Sequence, residues 1–442
     1  MAAPDAAAPF AAPAAAAVTA AAARIADEPA DHRFKGLPPD AATGASTLGA
    51  LAAERRNLFT GGFPTPCIAL SAERLEHNLA ALESFTARHG LAFAPHGKTS
   101  MAPQLFARQL EHGAWGITLA VPHQVWVARA FGVPRIFLAN ELVDAAALRR
   151  ISADLDADPD FRFLCYVDSV RGVALMDEAL RAAGARRPVD VVVELGAGEG
   201  ARTGARTEAE CAAVADAVAA TGTLRLAGVA GYEGEVPGAD PESVRSWLDR
   251  LTALAAAFDA EGRFAGLEEI VVSAGGSAWF DAVADAFGAL PPLSAPVLPL
   301  LRSGAYVSHD EGHYRALTPF NRVPDEGGLQ AAITLWAQVV SRPEPGQAFV
   351  NAGKRDAAYD LHLPTAHTVR GADGRTRPAD GITVTSASDQ HLWLRTDEQT
   401  PVEVGDWIGF GMSHPCTMFD KWQLLPVVTA DGTVTDLVRT YF

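Results

Sequence analysis

Lys98 lies in the run Ala94-Pro-His-Gly-Lys-Thr99, directly after a short apolar segment that starts near Leu91. A lysine that closes a buried strand is partly desolvated, and a desolvated amine is the nucleophile that Schiff-base chemistry requires. Position alone favours an ordinary solvated loop lysine, because lysines are mostly exposed. Lys98 is therefore a candidate nucleophile whose role depends on the groups that the fold brings near it.

Two glycine-rich turns follow later apolar runs and strengthen that candidate. They are Ser273-Ala-Gly-Gly-Ser277 and Arg302-Ser-Gly-Ala-Tyr306. At the ends of the last two strands of a barrel, such turns commonly bind a phosphate through backbone N–H groups. Each turn is weak support alone, since Gly/Ser turns are common. Together with Lys98 they predict a phosphate-bearing aldehyde cofactor, pyridoxal 5'-phosphate (PLP).

His414 and Cys416 form a second candidate site within the segment from Gly409 to Trp422. On an extended segment, residues i and i+2 project from the same face and can share one metal ion. Two protein ligands leave positions open for water or substrate, as in a catalytic zinc site. A lone cysteine more often packs as a small apolar residue. The pair therefore predicts Zn²⁺ only in combination with the rest of the chain.

The elements that must position these residues alternate regularly between residues 60 and 318. Short apolar runs rich in β-branched residues are separated by stretches with helical spacing, which is typical of a parallel sheet. The eight runs start near Leu91, Trp115, Arg135, Phe161, Val189, Leu224, Glu268 and Val297. Eight such units predict an α/β fold, a TIM-type (β/α)8 barrel with its site at the C-terminal ends of the strands.

The pattern changes at both ends of the chain. From residue 319 to 442, apolar and polar residues alternate between Gly, Pro and Asp turns, which predicts a C-terminal antiparallel β domain carrying the metal site. We also expect the segment just before residue 71 to pair with that domain. Residues 1–30 are Ala/Pro-rich and lack the basic start of a targeting peptide, so we expect a low-complexity, weakly ordered extension.

Composition limits the classes of partner. The 442 residues include 36 Lys+Arg and 53 Asp+Glu, a formal net charge of −17. Nucleic acid and anionic membranes are poor partners for such a chain, because their surfaces select clustered basic residues. The four cysteines form no CxxC pair or disulfide framework, which favours a reduced, cytoplasmic setting.

The motifs in their order along the chain resemble a known family. PHGKT, VELGAGEGARTG, GYEGE, SAGGS, SGAYVSHD and SHPCTMFDKW look like the D-serine dehydratase and D-threonine aldolase group of fold-type III PLP enzymes, related to alanine racemase. The resemblance covers about residues 60 to 442. It implies a PLP-binding barrel, a β domain and a homodimer that acts on a D-amino acid.

The resemblance also implies roles for individual residues. Lys98 matches the Schiff-base lysine, and His414 with Cys416 matches the zinc pair. The residues that match cofactor-binding positions are Lys98, Arg202, Tyr232, Gly275, Gly276, Ser277, Gly304 and Tyr306. Tyr232 falls where the family places a tyrosine on the cofactor ring, and Arg202 matches an arginine near the cofactor hydroxyl.

The metal pair discriminates within the group, since aldolase members tend to carry Asp and dehydratases Cys at the position of Cys416. We therefore expect a PLP- and zinc-dependent dehydratase that converts D-serine or a related D-3-hydroxy amino acid to a 2-oxo acid and ammonia. Glu235 departs from the family, whose shorter members tend to have histidine there, so the substrate stays open. The alternatives are D-threonine aldolase-type retro-aldol cleavage and a non-catalytic PLP-binding homeostasis protein, which is normally a lone barrel.

Overall fold

The computed structural model describes residues 15–397 and 402–442 and divides the chain into two compact units. Unit 1 contains Glu83–Lys98 and Gln109–Gly304, and unit 2 contains Val18–Leu82, Thr99–Arg108 and Ala305–Phe442. The helices, numbered in chain order, are α1 Ala15–Ala23, α2 Leu48–Ala53, α3 Ala72–Arg88, α4 Pro103–Glu111, α5 Pro122–Ala130, α6 Ala145–Ala157, α7 Val170–Ala183, α8 Glu208–Ala219, α9 Pro241–Ala260, α10 Phe280–Gly288, α11 His313–Leu317 and α12 Cys416–Phe419. No helix among these described residues is long and apolar enough to span a bilayer.

Unit 1 contains an eight-stranded parallel sheet whose strands come from the eight predicted runs. Three short strands in unit 2 precede them: β1 Pro29–Asp31, β2 Thr43–Thr47 and β3 Cys67–Ser71. The parallel strands are β4 Ala92–Phe93, β5 Ile117–Leu119, β6 Arg135–Glu141, β7 Arg162–Val167, β8 Val189–Leu195, β9 Leu224–Gly231, β10 Ile270–Ala274 and β11 Val297–Leu301. Their order, β4-β11-β10-β9-β8-β7-β6-β5, is that of sequential βα units.

The first and second strands of this sheet are also joined, which closes it into a barrel. The Trp115 N–H donates to the Phe93 carbonyl at 2.6 Å, and the Thr118 N–H donates to the Pro95 carbonyl at 2.9 Å. The core cluster is drawn from all these strands except β5, and its larger members include Trp115, Phe137 and Tyr166. Strand β8 is apolar except for Asp190 and Glu194, because both of its faces are buried. The predicted fold class is confirmed.

Unit 2 is built around an antiparallel sheet. The strands that follow β11 are β12 Ile333–Glu344, β13 Gln347–Val350, β14 Thr365–Arg370, β15 Thr376–Pro378, β16 Thr383–Ala387, β17 Leu392–Arg395, β18 Trp407–Gly411, β19 Leu424–Val428 and β20 Val434–Arg439. The main strand order is β15-β14-β18-β12-β13-β17-β16. Strand β3 pairs antiparallel with β12 and parallel with β19. The predicted pairing of the segment before residue 71 is therefore confirmed.

The domain boundary and the N-terminal segment both differ from expectation. The division lies between Gly304 and Ala305 rather than at 318/319, and residues 18–82 and 99–108 belong to unit 2. The expectation of a weakly ordered extension is wrong for residues 15–30, because α1 is a helix whose Val18 and Ala22 are buried. An alanine-rich segment with a few larger apolar residues can bury one helical face, which composition alone does not reveal. Residues 1–14 lie outside the described part of the chain.

Candidate active site

Lys98 lies half-buried in a single 3-10 turn, Gly97–Thr99, that follows β4. The neighbouring imidazole shows which charges meet there. Burial lowers the pKa of His96 well below its ordinary value, and the positive charges of Lys98, Arg302 and Arg202 lower it further. His96 Nδ1 is buried and has no hydrogen-bond partner. The C-terminal mouth of the barrel therefore gathers cations, as a site for an anionic ligand requires.

Arg302 is the most buried of these cations and was not assigned a role from the sequence. It directly follows β11 and is 5% exposed. One of its Nη2 hydrogens is donated to the Gly231 carbonyl, whereas Nε is buried without a partner. Its guanidinium carbon lies 5.2 Å from the Phe137 ring centroid and 5.5 Å from that of Tyr166. Burial lowers the pKa of Arg302 to about 9. A cation so enclosed, with a free donor, fits an acceptor atom supplied by a ligand.

The predicted phosphate turn begins directly after β10. Gly275 has φ +104°, which favours glycine, and a Cβ added to Gly276 would lie 2.6 Å from Cε2 of Tyr232. The hydroxyl of Ser303 donates to the Gly276 carbonyl at 2.7 Å, which ties this turn to the one after β11. The residues predicted for one phosphate cradle are thus adjacent. Gly304 ends unit 1, and Tyr306 is buried in unit 2.

Glu233 occupies two of the N–H groups that the sequence suggested for phosphate. The Gly275 N–H donates to Glu233 Oε2 at 2.9 Å and the Gly276 N–H donates to Oε1 at 2.6 Å. Glu233 is fully buried, and burial raises its pKa although these two N–H groups oppose the rise. Its carboxylate therefore fixes the shape of the turn from within unit 1.

Tyr232 and Arg202 lie on the more exposed side of the same mouth. Tyr232 is half-buried just after β9, and the guanidinium carbon of Arg202 lies 5.7 Å from its ring centroid. Arg202 Nε lies 2.9 Å from Glu235 Oε1. Glu235, which departs from the family pattern, therefore neutralises the charge of Arg202. With an exposed side chain, Arg202 borders the site rather than lining its interior.

These residues fit PLP. A half-buried lysine can bond to the aldehyde, and buried Arg302 Nε and His96 Nδ1 lack partners that a polar, anionic ring would supply.

The metal pair lies in unit 2, after β18. His414 has φ +70° and Cys416 starts the short helix α12, so the segment is not extended. The expected strand geometry is wrong, because Pro415 adopts helical dihedral angles and turns the chain. The two side chains nevertheless meet, since a hydrogen bond with Cys416 is the largest cause that raises the pKa of His414 to about 9.

Four further side chains surround this pair. His414 Nδ1 donates to Asp360 Oδ2, and the Thr417 hydroxyl donates to Asp360 Oδ1 at 2.6 Å. The backbone N–H of His414 donates to Asp310 Oδ2 at 2.9 Å. Thr99 Oγ1 lies 3.3 Å from Cys416 Sγ. Because Asp360 engages Nδ1, the imidazole presents Nε2 as its ligand atom, and one nitrogen with one sulfur is a donor set that suits Zn²⁺.

Sequence reasoning missed Arg302, Glu233, Asp360, Asp310 and Thr99 as contributors. Four of them lie inside motifs named above and could have been considered as site residues: Arg302 in RSGAY, Glu233 in GYEGE, Asp310 in SHD and Thr99 in PHGKT. Asp360 lies 54 residues from His414 and no local pattern marks it.

Comparisons with known proteins agree with this geometry. Residues 332–428 match a family model described as a putative serine dehydratase domain. The chain is 26% identical to D-threonine aldolase of Arthrobacter sp. over 84% of this chain and 91% of that protein. It is 24% identical to D-threo-3-hydroxyaspartate dehydratase of Delftia sp. (strain HT23) over 85% of this chain and 97% of that protein.

Solved structures show the same fold. D-threonine aldolase from Filomicrobium marinum superimposes with a TM-score of 0.70 at 25% identity, covering 86% of this chain and 95% of that one. An alanine racemase-like protein from Idiomarina loihiensis gives a TM-score of 0.64 at 15% identity, covering 85% and 96%. The named relatives are aldolases and dehydratases, so the non-catalytic alternative is not supported. The chain is thus similar to the PLP enzymes of the D-serine dehydratase and D-threonine aldolase group, and the comparisons support an enzyme of lyase type with an alanine racemase-like fold.

Proposed function

We propose that this chain is a PLP- and zinc-dependent dehydratase that converts a D-3-hydroxy amino acid, with D-serine as the first candidate, to a 2-oxo acid and ammonia. The observation that carries the proposal is the His414–Cys416 pair held by Asp360 and Thr99, which provides a nitrogen and a sulfur ligand. Cysteine at position 416 is the residue that our sequence analysis associates with the dehydratase side of the group.

The division of labour follows from the residues. When bound, PLP withdraws electrons from the substrate α-carbon, and zinc acts as a Lewis acid toward the β-hydroxyl, which is otherwise a poor leaving group. Lys98 Nζ would accept the α-proton of the substrate. His414 and Cys416 hold the metal, with Asp360 fixing the orientation of the imidazole. Arg302 anchors the cofactor from the buried side of the barrel mouth.

Charge limits how substrate is recruited. A net charge of −17 gives no long-range attraction for a carboxylate, so local cations must bind it. Arg202 is paired with Glu235, which lowers the local positive charge. This pairing favours a substrate with a single carboxylate, such as D-serine, over a dicarboxylate.

We also propose a reducing, cytoplasmic location. All four cysteines are free, and three of them are buried as ordinary apolar residues.

Retro-aldol cleavage is the second candidate because of the likeness to D-threonine aldolase. It uses the same lysine and metal pair but breaks the Cα–Cβ bond. Product analysis separates the two reactions. The purified protein with PLP and Zn²⁺ is incubated with D-serine, D-threonine and D-threo-3-hydroxyaspartate, and both product sets are quantified.

We expect 2-oxo acid plus ammonia with D-serine, none with L-serine, and none from the Lys98→Ala protein. In the same samples, borohydride reduction traps PLP on Lys98 in the unaltered protein and on no residue of the variant. Glycine plus aldehyde as the dominant products from D-threonine, with no ammonia from D-serine, would establish the aldolase instead.

A further inference from the structure

Three carboxylates that the proposed reaction does not use converge at the C-terminal ends of neighbouring barrel strands. Glu141 ends β6, Asp168 directly follows β7, and Glu194 is the second-last residue of β8. One ligand oxygen from each lies within 4.8 Å of the others. Oxygens bound to one Ca²⁺ at ~2.4 Å are at most roughly 4.8 Å apart, so the three fit within one coordination shell.

Two oxygens of this cluster have no partner. Glu194 is 4% exposed, and its Oε2 makes no hydrogen bond; Oε1 of Glu141 is likewise buried without one. Buried carboxylate oxygens are costly to leave unsatisfied, and such atoms call for an explanation. Either a bound cation or a proton shared between the two carboxyl groups would satisfy these oxygens, and a cation would also engage the third carboxylate, Asp168.

Burial and the cluster's own negative charges dominate its electrostatics. Burial raises the pKa of Glu194 to about 9; the negative charges of Glu141 and Asp168 and the contact with the Glu141 carboxyl add to the rise, whereas a hydrogen bond with Thr203 opposes it. Burial likewise raises the pKa of Glu141. The Gly204 N–H donates to Asp168 Oδ2 at 3.3 Å.

We propose that Glu141, Asp168 and Glu194 form a binding site for a hard divalent cation of the Mg²⁺, Mn²⁺ or Ca²⁺ class, separate from the His414–Cys416 pair. All-carboxylate ligands suit these ions rather than zinc. The consecutive strands β6, β7 and β8 supply a rigid base for the site. The competing explanation is a proton shared between Glu141 and Glu194 with no ion.

The test uses Mn²⁺ as the probe and the full-length protein with PLP bound. His414→Ala/Cys416→Ala removes the other candidate site, and bound Mn²⁺ is measured by electron paramagnetic resonance during titration. We expect one Mn²⁺ per chain to remain in this background. Adding Glu194→Gln or Glu141→Gln should weaken binding at least tenfold, while Glu199→Gln, an exposed acid in the loop after β8, should change it less than twofold.

Circular dichroism and PLP absorbance verify that each variant folds, and Asp168→Asn replaces any variant that does not. If the background protein binds no Mn²⁺ with a dissociation constant below about 1 mM, the weak end of protein Ca²⁺ sites, the proposal is overturned in favour of the shared proton. Undiminished Mn²⁺ binding by both glutamine variants would also overturn it. The outcome is independent of which reaction the enzyme catalyses.

Discussion

In the proposed metal site, Asp360 is the carboxylate that orients the His414 ligand. It accepts hydrogen bonds from His414 Nδ1 and from the Thr417 hydroxyl, so both the tautomer and the angle of the imidazole are fixed. Such outer carboxylates are typically worth ~10–100-fold in metal affinity. We expect Asp360→Asn to weaken Zn²⁺ binding within that range, measured by competition with a chromophoric chelator. Asp380→Asn, an exposed change in the same unit, is the control, and equal affinities of the two variants would contradict the role.

The same histidine gives the metal site a pH dependence with a definite sign. The hydrogen bond with Cys416, followed by smaller contributions that include Asp360, raises the pKa of His414 from 6.5 to about 9. A metal binds the neutral imidazole and must displace this proton, so apparent affinity falls as the pH drops below about 9. Each proton displaced contributes about tenfold per pH unit. Zn²⁺ affinity measured from pH 6 to pH 9 should rise throughout, and a flat profile would contradict the assignment.

Part of the candidate site was predictable from the sequence alone. Lys98, the glycine turns and the His414–Cys416 pair could be predicted because each lies in a short local motif. Asp360 and the Glu141–Asp168–Glu194 cluster arise from residues far apart in sequence, and their types are common on any surface. Proximity made by folding leaves no local pattern, so such groups are visible only in the structure.

At the scale of elements, the turn after β10 lies so close to Tyr232 that position 276 has no room for a side chain. A Cβ at position 276 would lie 2.6 Å from Tyr232 Cε2 and 3.1 Å from its hydroxyl oxygen, so either the ring or the turn must shift. We expect Gly276→Ala to raise the PLP dissociation constant at least tenfold, about 1.4 kcal/mol, measured by PLP absorbance. Gly288→Ala at the end of α10 meets no atom within 4 Å and should bind PLP as the unaltered protein does. Similar affinities for both variants would mean that the turn does not contact the cofactor.

The strands of the barrel were predictable because burial on both faces produces continuous apolar runs separated by helical periodicity. All eight runs became the parallel strands β4 to β11. The boundary between the two units was not predictable from the sequence, because segments such as Thr99–Arg108 lie within the predicted barrel but belong to unit 2. Helix α1 escaped prediction for a related reason, since the burial of its Val18 and Ala22 depends on parts of the chain that are distant in sequence.

At the scale of the molecule, the resemblance that named the group also implies a homodimer. We propose two subunits per particle in solution, so sedimentation equilibrium at micromolar concentration should give twice the chain mass of 46.4 kDa. Loaded and metal-free protein should be compared at equal ionic strength, because a chain of charge −17 repels its copy more strongly at low salt. A mass of one chain in both states would contradict the dimer.

Removal of the metal tests whether the proposed zinc site in unit 2 stabilises the fold or takes part in the reaction. If Zn²⁺ on His414 and Cys416 only shaped the fold, chelation would unfold the protein, since structural zinc contributes about 10–16 kcal/mol of folding free energy. If it assists departure of hydroxide, chelation leaves the melting temperature and PLP absorbance nearly unchanged while D-serine turnover falls by orders of magnitude, with each factor of ten worth about 1.4 kcal/mol of barrier. Chloride leaves without a Lewis acid, so chelated enzyme and Cys416→Ala should retain ammonia release from D-β-chloroalanine. Equal loss of both activities with unchanged absorbance would give the metal another step, and full D-serine turnover without metal would remove it from catalysis.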